Sequence, residues 1–280
     1  MVDVYLKAAA AALPGAGRLP FVPGGGGPMP ELELEEQGVQ AEPDRVADYA
    51  RVCGFRLRDE LPPTYPHILA FPLHMKLMTD GSFPFPAVGL VHVANRIAVR
   101  RPLRSGEAFD LRVRPKEAGE RSFAIVTEAR VDGELVWEEV STMFRPGGGS
   151  PPRELGDDDA TLAFVAEWRL QGDLGRRYAS VSGDRNPIHM HPLTAKLFGF
   201  PRAIAHGMWT KARSLAALEP ALPDAYEITV EFRKPILLPG RVTFERSGER
   251  FRVISDDRVH LLGRCATPPW AVRTRWPVRR

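Results

Sequence analysis

Cysteine is scarce in this chain, and its two copies fit no familiar redox or metal-binding pattern. Cys53 and Cys265 lie far apart in the 280 residues, whereas zinc sites and redox pairs usually need closely spaced ligands. His189 and His191 are close together, but no further ligand follows them at helical spacing. We therefore expect no metal site and two buried, reduced thiols, as in a cytoplasmic protein.

Long apolar runs, basic runs and glycine-rich nucleotide motifs are also missing. No stretch approaches the roughly 18 apolar residues that span a bilayer, and Ala8–Leu13 is too short for a signal peptide. The net charge is only +3, and no basic run is interleaved with aromatic residues. We expect no membrane span, no nucleic-acid partner and no nicotinamide or flavin cofactor.

The chain does contain an internal sequence repeat. Three pairs of segments recur in the same order: Tyr49–Gly54 with Tyr178–Gly183, Ala70–Leu73 with Ala205–Met208, and Arg101–Leu103 with Lys234–Ile236. The offsets are 178 − 49 = 129, 205 − 70 = 135 and 234 − 101 = 133. One such match is at chance level, but three in the same order indicate a duplicated domain.

Each copy predicts an α+β domain. A helix is expected over Phe71–Thr79 in the first copy and over Gly207–Leu218 in the second. The second helix has an apolar stripe at helical spacing, formed by Met208, Ala212, Leu215 and Leu218. Alternation or apolar enrichment predicts strands at Phe109–Val113, Phe123–Val131, Val136–Phe144, Glu227–Phe232, Phe251–Ser255 and Val259–Ala266. A long helix on a mainly antiparallel sheet follows, and two such copies can pair as a homodimer would.

A glycine- and proline-rich stretch separates the copies and has the composition of a linker. We predict a first domain over residues 1–148, a linker over 149–160 and a second domain over 161–280.

The segment Tyr178–His189, with sequence YASVSGDRNPIH, is the strongest candidate for a chemical site. It places a carboxylate, Asp184, five residues before an imidazole, His189, and a His-Gly pair then opens the second predicted helix at Gly207. An acid/base pair beside the bare N–H groups of a helix N-terminus suits proton transfer next to a polarised carbonyl. The alternative is that Ser-Gly-Asp and Asn-Pro only form turns.

The first copy lacks this constellation. Phe55 stands where Asp184 stands, and the stretch that would hold the histidine is missing. Pro72 aligns with Gly207, and a proline has no N–H to offer an oxyanion. We therefore predict that the second copy is catalytic and the first is architectural. The alternative is that both copies are structural.

The motif YASVSGDRNPIH, followed by GFPRAIAHGM, resembles the signature of MaoC-like, (R)-specific enoyl-thioester hydratases. The stretch YPHILAFPLHMKLMTDGSFPFP is similar to the degenerate first domain of their two-domain, double-hotdog members, the 3-hydroxyacyl-thioester dehydratases. The resemblance implies that Asp184 and His189 are the catalytic pair and that Gly207 is the oxyanion donor. It places Asn186, His206 and Met208 in the oxyanion and substrate-binding group, with packing as the alternative role for His206.

The implied activity is the reversible hydration of trans-2-enoyl thioesters to (3R)-3-hydroxyacyl thioesters in fatty-acid metabolism, the work of a carbon–oxygen lyase. Coenzyme A or acyl carrier protein would enter only as part of the substrate. The resemblance implies an internal pseudo-dimer and leaves a further homodimer open. It also leaves open which of Asp184 and His189 is the base. A hotdog thioesterase and a non-catalytic acyl-thioester-binding subunit are the competing functions.

Three further sets of residues are interpreted as follows. Five basic side chains either meet coenzyme A phosphates or are solvated: Arg202, Lys211, Arg213, Arg233 and Lys234. Three histidines of the first copy are interpreted as structural: His67, His74 and His92. Three aromatic residues belong to the core or make room for a long acyl chain: Phe71, Phe83 and Phe85.

Overall fold

Ten strands form one continuous antiparallel sheet in the computed structural model, which describes residues 27–86, 89–156 and 161–273. The strands are β1 Leu34–Val39, β2 Val91–Val99, β3 Phe109–Gly119, β4 Ser122–Val131, β5 Glu134–Phe144, β6 Ala163–Leu170, β7 Tyr226–Phe232, β8 Gly240–Ser247, β9 Arg250–Ser255 and β10 Arg258–Ala266. Their order is β1-β3-β4-β5-β2-β7-β10-β9-β8-β6. Each half therefore uses the same strand order, which confirms the duplication.

The two halves join where β2 pairs with β7. Ile97 faces Ile228 and Asn95 faces Val230, so the pairing centres on Arg96 and Thr229. These two residue numbers differ by 229 − 96 = 133, the offset that separates Arg101 from Lys234. A pseudo-twofold axis thus passes through the middle of the sheet, as in an internal dimer.

Seven helices accompany the sheet in the described part of the chain. They are α1 Pro43–Cys53, α2 Tyr65–Met78, α3 Leu174–Ser182, α4 Pro187–Met190, α5 Pro192–Leu197, α6 Gly207–Leu218 and α7 Pro269–Arg273. The predicted apolar stripe of α6 is buried throughout, at Met208, Ala212, Leu215 and Leu218. A long helix packed on an antiparallel sheet in each half confirms the α+β, double-hotdog prediction.

The start of the first long helix was predicted wrongly. α2 begins at Tyr65 rather than Phe71, and Pro66 occupies its first turn, where a proline needs no hydrogen-bond donor. Pro72 lies inside the helix. It therefore does not stand at a helix N-terminus as Gly207 does, and the argument that it replaces an oxyanion donor is incorrect.

The repeated segments Tyr49–Gly54 and Tyr178–Gly183 each lie at the end of a short helix. α1 and α3 are followed by Gly54 and Gly183, whose φ angles of 84° and 77° lie in the left-handed region that glycine adopts without strain. Tyr49 and Tyr178 bring the two motifs together, with ring centroids 6.1 Å apart. This contact supports a structural role for both tyrosines.

Three further predictions concern the two cysteines, the linker and membrane-spanning helices. Cys53 is buried as expected, but Cys265 is only half-buried, and both are free thiols. Residues 157–160 of the predicted linker lie outside the described residues, so the domain boundaries stay a prediction. Within the described ranges, no helix is both long and apolar enough to cross a membrane.

Candidate active site

Asp184 is positioned by the end of α3. Gly183 closes that helix with an N–H···O bond to Ala179, and Asp184 is the next residue. The backbone N–H of Asp184 donates to Ser182 Oγ at 3.2 Å, and the backbone N–H of Asn186 donates to Asp184 Oδ1 at 3.1 Å. The carboxylate is therefore held by the loop that carries it.

Asn186 also begins the short helix that carries His189. Its side-chain oxygen accepts from the N–H of Ile188 at 3.4 Å, and Pro187 fills the first helical position. The N–H of His189 donates to the carbonyl of Asn186 at 3.0 Å. The turn reading of Gly183, Asn186 and Pro187 is thus correct, but the turns aim the two chemical groups.

A backbone carbonyl fixes the imidazole of His189. Its Nδ1 donates to the carbonyl of Ile204 at 2.8 Å, and the N–H of Ile204 donates to the carbonyl of Ile188 at 3.1 Å. Because a carbonyl only accepts, the ring proton sits on Nδ1 and Nε2 keeps its lone pair. His189 is also buried, which restricts the movement of the ring away from this orientation.

His206 packs against the pair. Its ring stacks on that of His189 with centroids 3.7 Å apart, and its Nε2 donates to the carbonyl of Asp184 at 3.1 Å. It makes no side-chain cap on α6 and is 2% exposed. The packing role is the one the geometry supports for His206.

Burial and neighbouring charge set the protonation of the site. Burial lowers the pKa of His189, and the Asp184 carboxylate only partly opposes this. Burial lowers the pKa of His206 to about 3, with a further contribution from His189. For Asp184, burial raises the pKa, but the two histidines and the Asn186 N–H outweigh it, so the net shift is downward. Near neutral pH the carboxylate is ionised and both imidazoles are neutral.

The N-terminus of α6 lies beside the pair. The first helical hydrogen bond runs from the N–H of Thr210 to the carbonyl of His206 at 3.1 Å, so the N–H groups of Gly207, Met208 and Trp209 have no partner within the helix. A Cβ at Gly207 would lie 3.0 Å from the Phe232 ring. The Phe232 ring would have to yield by a few tenths of an ångström to admit a Cβ, so packing favours glycine at this position, a reason that the sequence does not reveal.

One cavity of about 430 Å³ connects these groups with the first half of the chain. Asp184, His189, Gly207 and Met208 line it together with other residues of the second half. The first half contributes a further part of the wall: His67, Ile68, Phe71, His74, Met78, His92, Ile125, Ser141 and Met143. Phe71 thus faces the cavity, whereas Phe83 is buried in the core.

The structural importance of Gly175 on α3 was not predicted from the sequence. A Cβ at this position would lie 1.9 Å from the backbone carbonyl oxygen of His189. α3 therefore approaches the loop that carries Asp184 and His189 so closely that only glycine fits. Nothing in the local sequence signals this contact, because the two residues meet only in the fold.

The basic residues considered for phosphate binding divide into two groups. Lys211 is fully buried, which contradicts a surface role, and Arg213 lies over the Trp168 ring at 5.1 Å. Arg233 pairs with Glu231. Lys234 and Arg202 are exposed, and Lys234 borders the cavity.

A metal ion has two conceivable donor sets in the described part of the chain. Asp184, His189 and His206 each offer an atom within 4.8 Å of the others, and so do His67, His74 and Glu139. In the first set each imidazole donates one ring N–H to a carbonyl, which leaves its other nitrogen as the acceptor. Two acceptor atoms of the first set, which lie within 4.8 Å of each other, can also be bridged by one water molecule at about 2.8 Å from each.

Comparison with known proteins places the chain in a family. Residues 159–260 match the family model of the MaoC like domain. The chain is 39% identical over 234 residues to 3-hydroxyacyl-thioester dehydratase X of Mycobacterium tuberculosis, covering 80% of this chain and 82% of that protein.

Solved structures agree. The crystal structure of HtdX from Mycobacterium tuberculosis superposes with a TM-score of 0.73 and 34% identity, over 84% of this chain and 99% of that one. A MaoC-like dehydratase from Phytophthora capsici superposes with a TM-score of 0.69 over 86% and 96% of the two chains, but at 18% identity it supports the fold alone. The chain therefore belongs to the MaoC-like dehydratase family, in a double-hotdog form.

Proposed function

We propose that this protein catalyses the reversible hydration of trans-2-enoyl thioesters to (3R)-3-hydroxyacyl thioesters. The observation that carries the proposal is convergence: the Asp184 carboxylate, the His189 imidazole and the N-terminus of α6 face one cavity. The kinship with a 3-hydroxyacyl-thioester dehydratase supports the same reaction. The (3R) configuration follows the resemblance to the (R)-specific hydratases.

The N-terminus of α6 would hold the thioester carbonyl. The Gly207 N–H, aided by the helix dipole, stabilises the negative charge that develops on the carbonyl oxygen as an enolate forms. A single donor of this kind is worth about 3 kcal/mol of barrier in comparable sites. The rest of the acyl chain extends along the wall that the first half supplies.

Asp184 and His189 would hold the reacting water. Since the carboxylate is ionised and the imidazole is neutral, both accept hydrogen bonds from that water. The water oxygen bonds to C3 while one of its protons passes to the pair, and the pair then delivers that proton to C2 of the enolate. The C–OH bond and the C–H bond thus both derive from water. Dehydration runs the same steps backwards.

We propose coenzyme A or acyl carrier protein as the thioester carrier, in the cytoplasm. Two exposed cations, Lys234 beside the cavity and Arg202 on the loop before α6, are suited to its phosphates. In this arrangement the first domain is architectural and forms part of the acyl-chain pocket, and the second carries the catalytic groups.

The direct test follows the loss of the conjugated enoyl absorbance of trans-2-enoyl-CoA with C4, C8 and C12 chains. Asp184→Asn and His189→Ala should each lower kcat by about 10² to 10⁴-fold, because each removes a group that handles the water proton. Asp173→Asn, which changes a carboxylate that does not line the cavity, serves as the control.

Three results would count against the proposal. Full turnover in both variants would remove the pair from the mechanism. Release of free thiol without loss of the enoyl group would favour a thioesterase, and binding without turnover would favour a non-catalytic subunit.

A second test isolates the Gly207 N–H. Gly207→Pro removes the donor at a position where proline suits a helix, and the preceding His206 has the extended backbone (φ −67°, ψ 137°) that a following proline requires. Gly207→Ala places the same Cβ against Phe232 but keeps the N–H. We expect kcat of the proline variant to fall about 10² to 10³-fold below that of the alanine variant. Equal kcat values would show that this N–H does not bind the oxyanion.

A third test concerns the contact between α3 and the catalytic loop. Gly175→Ala should lower kcat about 100-fold, because the new methyl group displaces the His189 backbone. Gly172→Ala is the control, since its Cβ would meet nothing closer than Pro239 Cδ at 3.7 Å. Thermal melts would verify that both variants fold. A Gly175→Ala enzyme with normal kcat would contradict the role assigned to this contact.

A further inference from the structure

The first half of the chain has its own imidazole–carboxylate pair. His67 on α2 donates from Nδ1 to Glu139 Oε2 on β5 at 2.8 Å. Asn95 donates from Nδ2 to Glu139 Oε1 at 2.7 Å, and Lys211 donates to the Asn95 side-chain oxygen. Glu139, Asn95 and Lys211 are fully buried. The sequence reading, which treated His67 as structural, did not predict this pair.

The charge on Glu139 determines how His67 presents itself. Burial alone would raise the pKa of Glu139. The charge and hydrogen bond of His67 act in the opposite direction and contribute to a net lowering of this pKa to about 2. The ionised carboxylate can only accept hydrogen bonds, so Nδ1 of His67 carries a proton. The ring is therefore anchored through Nδ1, and its other nitrogen, Nε2, makes no hydrogen bond to a described residue.

His67 lies on the same cavity as Asp184 and His189. Its neighbours on this wall are mostly apolar, including Ile68, Phe71 and Ile125. A plain alkyl chain packed here would leave a buried ring nitrogen without a partner, which is unfavourable. A chain with an oxygen at the matching position would supply that partner.

The surrounding charge limits what that oxygen can be. Two carboxylates, Asp184 and Glu139, are ionised near the cavity, and the Lys211 amine is engaged by the Asn95 and Ile228 oxygens. An anionic group on the acyl chain would meet this negative charge without a free cation from Lys211. An uncharged oxygen avoids that cost. A hydroxyl pairs with Nε2 in either protonation state of the imidazole, because it can both donate and accept, whereas a keto oxygen, which only accepts, pairs with the cationic ring.

We propose that the cavity selects acyl thioesters that carry an uncharged oxygen, a hydroxyl or a keto group, away from the thioester, and that His67, held by Glu139, recognises this oxygen through Nε2. The inference rests on the proposed hydratase function, because it names the substrate class of that same site. His67 is then a specificity-determining residue rather than a member of the reacting pair.

The test compares kcat/KM for eight-carbon trans-2-enoyl-CoA with that for the same chain bearing one hydroxyl or keto group at C5, C6, C7 or C8. At one of these positions the oxygenated chain should be preferred about tenfold or more. His67→Leu should bring the ratio close to one, because kcat/KM for the oxygenated chain loses the hydrogen bond that the plain chain never makes. His67→Gln, whose amide still forms hydrogen bonds, should retain part of the preference.

His191→Leu is the matched control. It makes the same substitution at an exposed histidine that does not line the cavity, and it should leave both the ratio and the plain-chain activity unchanged. If His67→Leu fails to fold, the His67→Gln variant carries the comparison, and a ratio equal to that of the wild type in the variant that folds would overturn the proposal.

The outcomes separate this inference from the function on which it rests. Turnover of every chain with no preference for oxygen, or a preference for the plain chain or for a carboxylate-tailed chain, would overturn the substrate class alone. A wild-type preference that persists in His67→Leu would overturn the role of His67. No hydration of any thioester would instead contradict the hydratase function, and the inference would fall with it.

Discussion

The hydrogen bonds of one short segment, Ala203–Gly207, hold the candidate active site together. The carbonyl of Ile204 orients His189, and the N–H of Ala205 ties the segment to the carbonyl of Ile236 at 2.9 Å. Two residues later the chain enters α6 at Gly207. The same few backbone groups therefore set the imidazole tautomer and the position of the helix N-terminus. A shift of this segment would disturb both the proposed proton-transfer pair and the proposed oxyanion site.

Duplication explains why one cavity has two kinds of wall. The sheet is continuous through β2 and β7, and its two halves repeat one strand order about a pseudo-twofold axis. The second half carries Asp184 and His189 on a loop that includes α4 and α5, and the first half has no counterpart of these helices among the described residues. The first half instead contributes apolar side chains and the buried pair of His67 and Glu139. The first half thus lacks the chemical site, but it still supplies specific apolar and polar groups to its side of the cavity.

The sequence allowed the α6 stripe and the site loop to be predicted, because each depends on residues close together in the chain. The repeat could be predicted because it shows as a direct match of letters between the two halves. Prediction from the sequence failed where distant residues decide the outcome. The burial of Lys211 depends on Asn95, 116 positions away, and the need for glycine at 175 depends on the His189 carbonyl. Strand β2 was missed because Asn95 and Arg96 interrupt its apolar pattern, although both are paired in the fold. The start of α2 was misplaced because Pro72 reads as a helix boundary but lies inside the helix.

The most direct measurement is a ¹⁵N NMR titration of histidine-labelled protein, with the His189 signals assigned by their loss in His189→Ala. The account requires a neutral His189 ring at pH 7, with its proton on Nδ1 and its pKa below the ordinary value of about 6.5, because burial lowers that pKa more than Asp184 raises it. Asp184→Asn should lower the pKa of His189 further, since it removes the charge that opposes burial. A His189 that is cationic at pH 7, or that carries its only proton on Nε2, would contradict a site in which both groups begin the reaction as proton acceptors.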